Sequence, residues 1–203
     1  MKAKQNLEFV KNARDAYRLK DKFMAGLQEK YQKEVRSILK EEFGLKNDLS
    51  CPTLEKIVLN MGLADALTNK DVLVKAKSQL AQIAGLMPKV TRAKAAISNF
   101  KLRAGDLIGA MVTLRGRRAW SFLTKLQGIV LPRMRDFRGL DSSKFDKFGN
   151  YNLGLEEQIL FPEIDYSKID KIRGLVVSVV FKNSSPEKSK KLMELLGFPF
   201  KKS

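Results

Sequence analysis

The sequence predicts an α+β fold: a single domain on a mostly antiparallel, twisted sheet, with helices on one face and the other face left open. Three observations carry this. Stretches with the two-residue period of strands alternate along the chain with stretches of helical period. Two of the strands are apolar on one side and mixed polar on the other, which calls for cover on one side only. The 203 residues, 44% of them hydrophobic, hold no repeat, low-complexity tract or Gly/Ser linker, so one compact core suffices.

Residues 2–20 place Leu7, Val10, Ala13 and Tyr17 on one side of a short helix that nothing clearly caps; the alternative is a frayed basic tail. Residues 1–22 are read as a basic N-terminal extension and 23–203 as the domain. Phe23, Leu27, Tyr31, Val35, Ile38 and Phe43 form the next helical stripe, and Asn47, Asp48, Ser50 and Pro52 end it. Leu54 to Met61 alternates as a strand, with Ile57, Leu59 and Met61 on one face and Lys56, Val58 and Asn60 on the other. A helix over 69–86 has Asn69 as N-cap, Val72, Leu73, Ala76, Leu80, Ile83 and Ala84 inward, and Gly85 at its exit. Ile108 to Arg115 is a second two-faced strand. Ile108, Ala110, Val112 and Leu114 share one side, while Gly109, Met111, Thr113 and Arg115 share the other. Arg117 to Leu131 is helical through Trp120, Leu123, Leu126 and Val130, and Pro132 stops it. The valine-rich segment Leu175 to Lys182 reads as a central strand with both faces largely apolar. Ser185-Pro186-Glu187 opens a last helix, with Leu192, Leu195 and Leu196 inward, and Gly197 closes it.

Thirty-nine Lys and Arg against twenty-two Asp and Glu give a formal charge of +17, which points to a polyanionic partner. There is no histidine, so every mechanism built on imidazole is excluded. The single cysteine, Cys51, can form no internal disulfide and has no companions for a zinc site; it reads as a half-buried small apolar residue of a protein in a reducing interior. Gly62, Gly109 and Gly116 make neither a dinucleotide fingerprint nor a phosphate loop. No segment has the length of a membrane span or the apolar stretch of a signal peptide. The expectation is a cytoplasmic protein that is not an enzyme and has no cofactor or metal.

The positive charge is concentrated. Residues 88–118 contain Lys89, Arg92, Lys94, Lys101, Arg103, Arg115, Arg117 and Arg118 against Asp106 alone. The run TRAKAAISNFKLRAGD has weak apolar periodicity, as expected of an extended loop that carries cations to a phosphate backbone. Phe100 within it either tucks into the core, the simpler expectation, or stacks on an exposed base. A second constellation, PRMRDFRGLDSSKFDKFGNYNLGL, sets Arg133, Arg135 and Arg138 before a loop with Lys144 and Lys147. Its Asp136, Asp141 and Asp146 fit no carboxylate metal site and are expected to form ion pairs. An open polar sheet face on a basic protein is a common RNA platform.

The blocks PTLEKIVLNMGLADA, KVTRAKAAISNFKLRAG, IGAMVTLRGRRAW, PRMRDFRGL, GNYNLGLEEQILFPEIDY and LLGFPFKK, in this order over about residues 24–202, resemble the bacterial form of the ribosomal L-five family, the 5S rRNA-binding proteins of the large subunit. The resemblance implies a non-catalytic protein of the central protuberance. By the family pattern, Asn60 and Thr113 contact 5S rRNA, with Lys56 and Arg115 beside them on the same strand faces. A family Gln contact is Leu86 here, a departure that removes one amide. Arg92, Lys94, Lys101 and Arg103 are assigned to P-site tRNA. Arg133, Arg135, Arg138, Lys144 and Lys147 are assigned to rRNA or to a bridge to a small-subunit ribosomal protein, although Lys147-Phe148 replaces the common Gly-Arg. The implied partners also include 23S rRNA and neighbouring 5S-binding ribosomal proteins. A free RNA chaperone or translation factor on the same platform is the alternative.

Overall fold

The computed structural model describes residues 26–67, 69–135, 137–166 and 169–201. The expected helix over 2–20 and the 1–22 boundary lie outside the described residues. Five strands, β1 (Thr53–Gly62), β2 (Lys89–Arg92), β3 (Leu107–Arg115), β4 (Tyr151–Leu155) and β5 (Leu175–Lys182), form one antiparallel sheet in the order β2-β3-β1-β5-β4. Helices α1 (26–42), α2 (Lys70–Ala84), α3 (117–133) and α4 (Pro186–Leu196) complete the domain. α2 and α3 lie against β1 and β3, and α4 packs on α1. The α+β architecture expected from the alternating periods is the one found.

Strand faces follow the alternation. Ile57, Leu59, Met61, Ala110, Val112 and Leu114 are buried beneath the helices, while Asn60 and Arg115 are exposed. β5 lies inside the sheet between β1 and β4 with both faces largely apolar, as expected, and they differ in cover: Leu175, Val177, Val179 and Phe181 are buried, while Val176 is exposed and Val180 half-buried. The helix layer covers one side of β5, and no described residue forms a layer over the other. Two short strands, β2 and β4, escaped the periodicity reading, because four and five residues interrupted by Gly154 and polar side chains hold too little alternation.

The helix termini have the expected caps. Asn69 Oδ1 accepts the Asp71 N–H at 2.9 Å, and Gly85, at φ +65°, closes α2 by donating to the Ala81 carbonyl. Ser185 Oγ accepts the Lys188 N–H, Pro186 occupies the first turn, and Gly197, at φ +96°, ends α4. Both closures need left-handed backbone, which glycine adopts without a Cβ penalty.

Two helices depart in phase. In α1 the buried positions are Leu27, Tyr31, Val35 and Leu39, whereas Ile38 is exposed. Tyr31–Val35 is a π turn; it holds more residues than an α turn, so a stripe at strict four-residue spacing stays on one face and Leu39 takes the place expected for Ile38. Helix α3 contains Pro132 instead of stopping before it. The π turn Leu126–Val130 precedes the short segment Leu131–Arg133 and absorbs the carbonyl that the proline ring would meet and the hydrogen bond it cannot donate.

The core runs from Tyr31, whose ring lies 5.3 Å from Trp120 and whose hydroxyl donates to the Pro52 carbonyl, to Phe161, stacked 5.9 Å from Phe122. Cys51 is fully buried rather than half-buried as expected. Two polar anchors were invisible in the sequence. Lys125, buried in α3, donates from Nζ to the Ile83 carbonyl at 2.8 Å and to Glu163 at 2.7 Å, with the Phe122 and Phe161 rings within 6 Å of the ammonium. The buried Gln158 side chain accepts from the Arg173 N–H and donates to the Lys171 carbonyl, tying the long β4–β5 connection to itself. There both Arg173 guanidinium nitrogens donate to Asp170 at 2.8 Å and hold its carboxyl well below the usual range.

Candidate nucleic-acid interface

The strand register sets the open face in rungs. Lys89, Met111, Asn60, Val176 and Gly154 follow one another across the sheet; Thr113, Val58, Ser178 and Asn152 form the next rung, and Arg115, Lys56 and Val180 the one beyond. Asn60 and Thr113 therefore sit diagonally on adjacent central strands, and neither side chain has a hydrogen bond among the described residues. At the other end of the face, Thr91, Gly109 and Gly62 make a rung without bulk. A Cβ on Gly109 would come within 2.7 Å of the Met61 carbonyl oxygen on β1 and 2.8 Å of Thr91 Oγ1 on β2, so only glycine fits between these neighbours here.

Lys56 and Arg115 are direct cross-strand partners, an arrangement that costs free energy in the isolated protein. Glu55, the extra residue at a bulge between Leu54 and Lys56, offers each a loose contact at 3.5 Å. A phosphate group over this corner would relieve the repulsion more fully. The other described ion pairs lie elsewhere: on α1 and the Asp48 turn after it, between α4 and α1, within the β4–β5 connection, and from that connection to Lys125 of α3 and to Asp65. Arg92, Lys94, Lys101 and Arg103 are exposed and enter none of them.

Those four cations belong to a structured hairpin and not to the extended loop the sequence suggested. Ile97 and Leu102 bridge, Ser98–Phe100 makes a tight helical turn, and Lys101 takes left-handed backbone at φ +52°. At the base, the Ala93 N–H donates to the Asp106 carbonyl and Asp106 Oδ2 accepts the Arg103 N–H at 2.7 Å. Phe100 is 72% exposed at the tip, which corrects the core placement: a tight turn projecting from the sheet has no interior to bury it.

Arg133, the last residue of α3, and Arg135 and Arg138 after it are exposed, and Lys144 and Lys147 are exposed in the loop before β4. The C-terminal residues clasp this stretch through Leu140 N–H to the Pro199 carbonyl at 2.7 Å and Lys201 N–H to the Leu140 carbonyl at 2.9 Å. The aspartates here are turn caps and not the expected ion pairs. Asp141 accepts the Ser143 N–H at 2.9 Å, and those Ser143 bonds hold its carboxyl below the usual range. Asp146 accepts from the Phe148 and Asn150 N–H groups and from the Asn150 amide; partial burial opposes its ionisation, and these bonds outweigh that cost and hold it low. Backbone donors are nearer than any arginine, so they take the carboxylates. Asp136 lies outside the described residues, and no metal-holding group is found among the described ones. Phe148, 77% exposed, stands at the turn. Leu86 is half-buried against the core and presents no polar atom in place of the family amide.

An antiparallel sheet with one helix-covered face, one open face of neutral polar groups and adjacent cations, and unpaired cations on a projecting hairpin defines a binding protein for a polyanion. Comparison with known proteins makes this specific. Residues 47–103 match the family model described as ribosomal protein L5, and residues 107–200 match the model of the C-terminus of that same ribosomal family. The large ribosomal subunit protein uL5 of Symbiobacterium thermophilum is 52% identical over 177 residues, 87% of this chain and 98% of the relative. That of Thermus aquaticus is 53% identical over 176 residues, 87% and 97% of the two chains. That of Thermoanaerobacter sp. is 51% identical over 179 residues, 88% and 100%. The chain belongs to the ribosomal protein L5 family, whose members are structural components of the ribosome and not enzymes.

Proposed function

We propose that this chain is a structural constituent of the large ribosomal subunit in the cytoplasm, which grips 5S rRNA of the central protuberance with its open sheet face. The observation that carries the reading is the diagonal of Asn60 and Thr113, two unpartnered polar side chains, beside the like-charged Lys56 and Arg115 pair. On this reading the 93–106 hairpin, with Arg92 at its base and Lys94, Lys101 and Arg103 on it, reaches P-site tRNA. Arg133, Arg135, Arg138, Lys144 and Lys147 face 23S rRNA or a small-subunit protein across the intersubunit bridge. Neighbouring 5S-binding ribosomal proteins complete the partner set.

The first test is ionic strength. If about four phosphates are neutralised, affinity for 5S rRNA falls on the order of 100-fold between 50 and 200 mM salt, read by filter binding. A flat response would remove the electrostatic half of the reading. The second separates the partners: Arg92→Ala with Lys94→Ala leaves 5S rRNA affinity within about twofold and weakens tRNA occupancy of reconstituted subunits, because these side chains are on the hairpin. Equal losses in both assays would show the assignment to be wrong.

A further inference from the structure

The open face carries a second polar pair that the sequence reading did not single out. Ser178 on β5 and Asn152 on β4 are register partners in the rung that contains Val58 and Thr113. The Ser178 hydroxyl donates to Asn152 Oδ1 at 2.6 Å. With its oxygen engaged, the Asn152 amide has one free end, its NH₂ group with two donors. Asn152 is exposed and Ser178 half-buried, so the serine acts as the fixed member and sets the orientation of the amide.

The neighbours make this more than a surface hydrogen bond. Val176 and Val180 flank Ser178 on the same face of β5, and Gly154 lies two residues along β4 with no side chain. An apolar, low surface around an oriented donor lets a ligand approach closely and lose its water there, which raises the value of each hydrogen bond made. No aromatic side chain occupies this face among the described residues; Tyr151 and Phe181, the strand aromatics, are buried on the helix side. The chemistry is hydrogen bonding to an edge and not stacking on a ring.

We propose that the Asn152 amide, oriented by Ser178, is a further RNA contact, donating to an acceptor oxygen of the RNA and extending the 5S rRNA surface from β1 and β3 across to the β4 edge. The inference rests on the 5S rRNA reading given above. It assigns to Asn152 a direct contact and to Ser178 a positioning role.

The test uses the full chain and intact 5S rRNA, with melting curves to confirm folding. Asn152→Leu weakens binding about tenfold with an unchanged salt slope, since an RNA acceptor is left unpaired and no charge is altered. Asn152→Asp binds more weakly still, because a carboxylate offers only acceptors and a negative charge. Ser178→Ala gives a smaller loss, which Ser178→Thr restores by returning the hydroxyl; a merely structural role would show in stability and not in this pattern. Asn152→Lys identifies the acceptor: tighter binding with a steeper salt slope marks a phosphate oxygen, and weaker binding marks a ribose or base-edge oxygen. Wild-type affinity in folded Asn152→Leu and Asn152→Asp overturns the inference while leaving the wider reading intact. Failure of the unmodified chain to bind 5S rRNA overturns both.

Discussion

Lys125→Ala lowers the stability of the domain by about 3 kcal/mol or more, and Lys125→Met by less, measured as a shift in the urea midpoint at constant slope. The cost comes from the partners left behind. In the folded chain the ammonium satisfies the Ile83 carbonyl, in the last turn of α2, where no intrahelical donor remains, and it neutralises Glu163. Glu163 is a third exposed and recovers some hydration when Lys125 is lost, which places the loss at the low end of the range for breaking a buried pair. The Ile83 carbonyl sits beneath the side chain and stays unsatisfied. Alanine also removes a buried methylene stem whose ammonium lies within 6 Å of both the Phe122 and Phe161 rings and opens a cavity, whereas methionine keeps the stem. For a chain of this size the alanine variant melts on the order of 6–12 °C lower. An unchanged midpoint for both variants would mean that α2, α3 and the β4–β5 connection are held together without this contact.

The same residue shows where sequence reasoning stops. β1 and β3 were legible because each has one face in the core and one in solvent, and a two-residue period resolves such a strand completely. That is why Asn60 and Lys56, and Thr113 and Arg115, could be placed on the polar faces of their strands, whereas their juxtaposition depends on the β1–β3 register. Helix caps were legible because Asn69, Ser185, Gly85 and Gly197 act within one turn of themselves. Lys125 was not, since a lysine on the apolar arc of a helix reads as a lapse in the pattern until the distant partners, Ile83 and Glu163, are seen. Its position between Phe122 and Leu126 was the only available signal. Ile38 and Leu39 exchanged roles because a π turn alters the helical phase, and no residue type announces one. β5 was read as largely apolar on both sides, which is true of its composition apart from Ser178 and Lys182; its second face lies open among the described residues, beside the polar groups assigned to RNA. Ser178 and Asn152 were missed for a related reason, because pairing between β4 and β5 depends on a strand too short to register.

Recognition separates from attraction in the remaining prediction. Asn60→Leu combined with Thr113→Val binds 5S rRNA at least about tenfold more weakly, with the salt slope of the unmodified chain. Neither substitution changes a charge, so the number of phosphates neutralised, and with it the slope, is unaltered. Each lost hydrogen bond leaves an RNA group unpaired in an interface that has excluded water, a cost on the order of 1–3 kcal/mol per contact. Even the lower limit for both together exceeds the 1.4 kcal/mol that corresponds to tenfold. The fold survives, because Asn60 is exposed between Met111 and Val176, Thr113 lies beside Val58 on the same uncovered face, and neither reaches the helix layer. Leucine and valine there extend apolar contacts already present and disturb no core packing. Urea midpoints equal to or above the unmodified chain, together with weakened binding at a constant slope, are the expected pair of results. A folded double variant that binds as tightly as the unmodified chain would move 5S rRNA off the sheet face and leave the basic hairpin and loops to hold it, since those are the cations the substitutions do not touch.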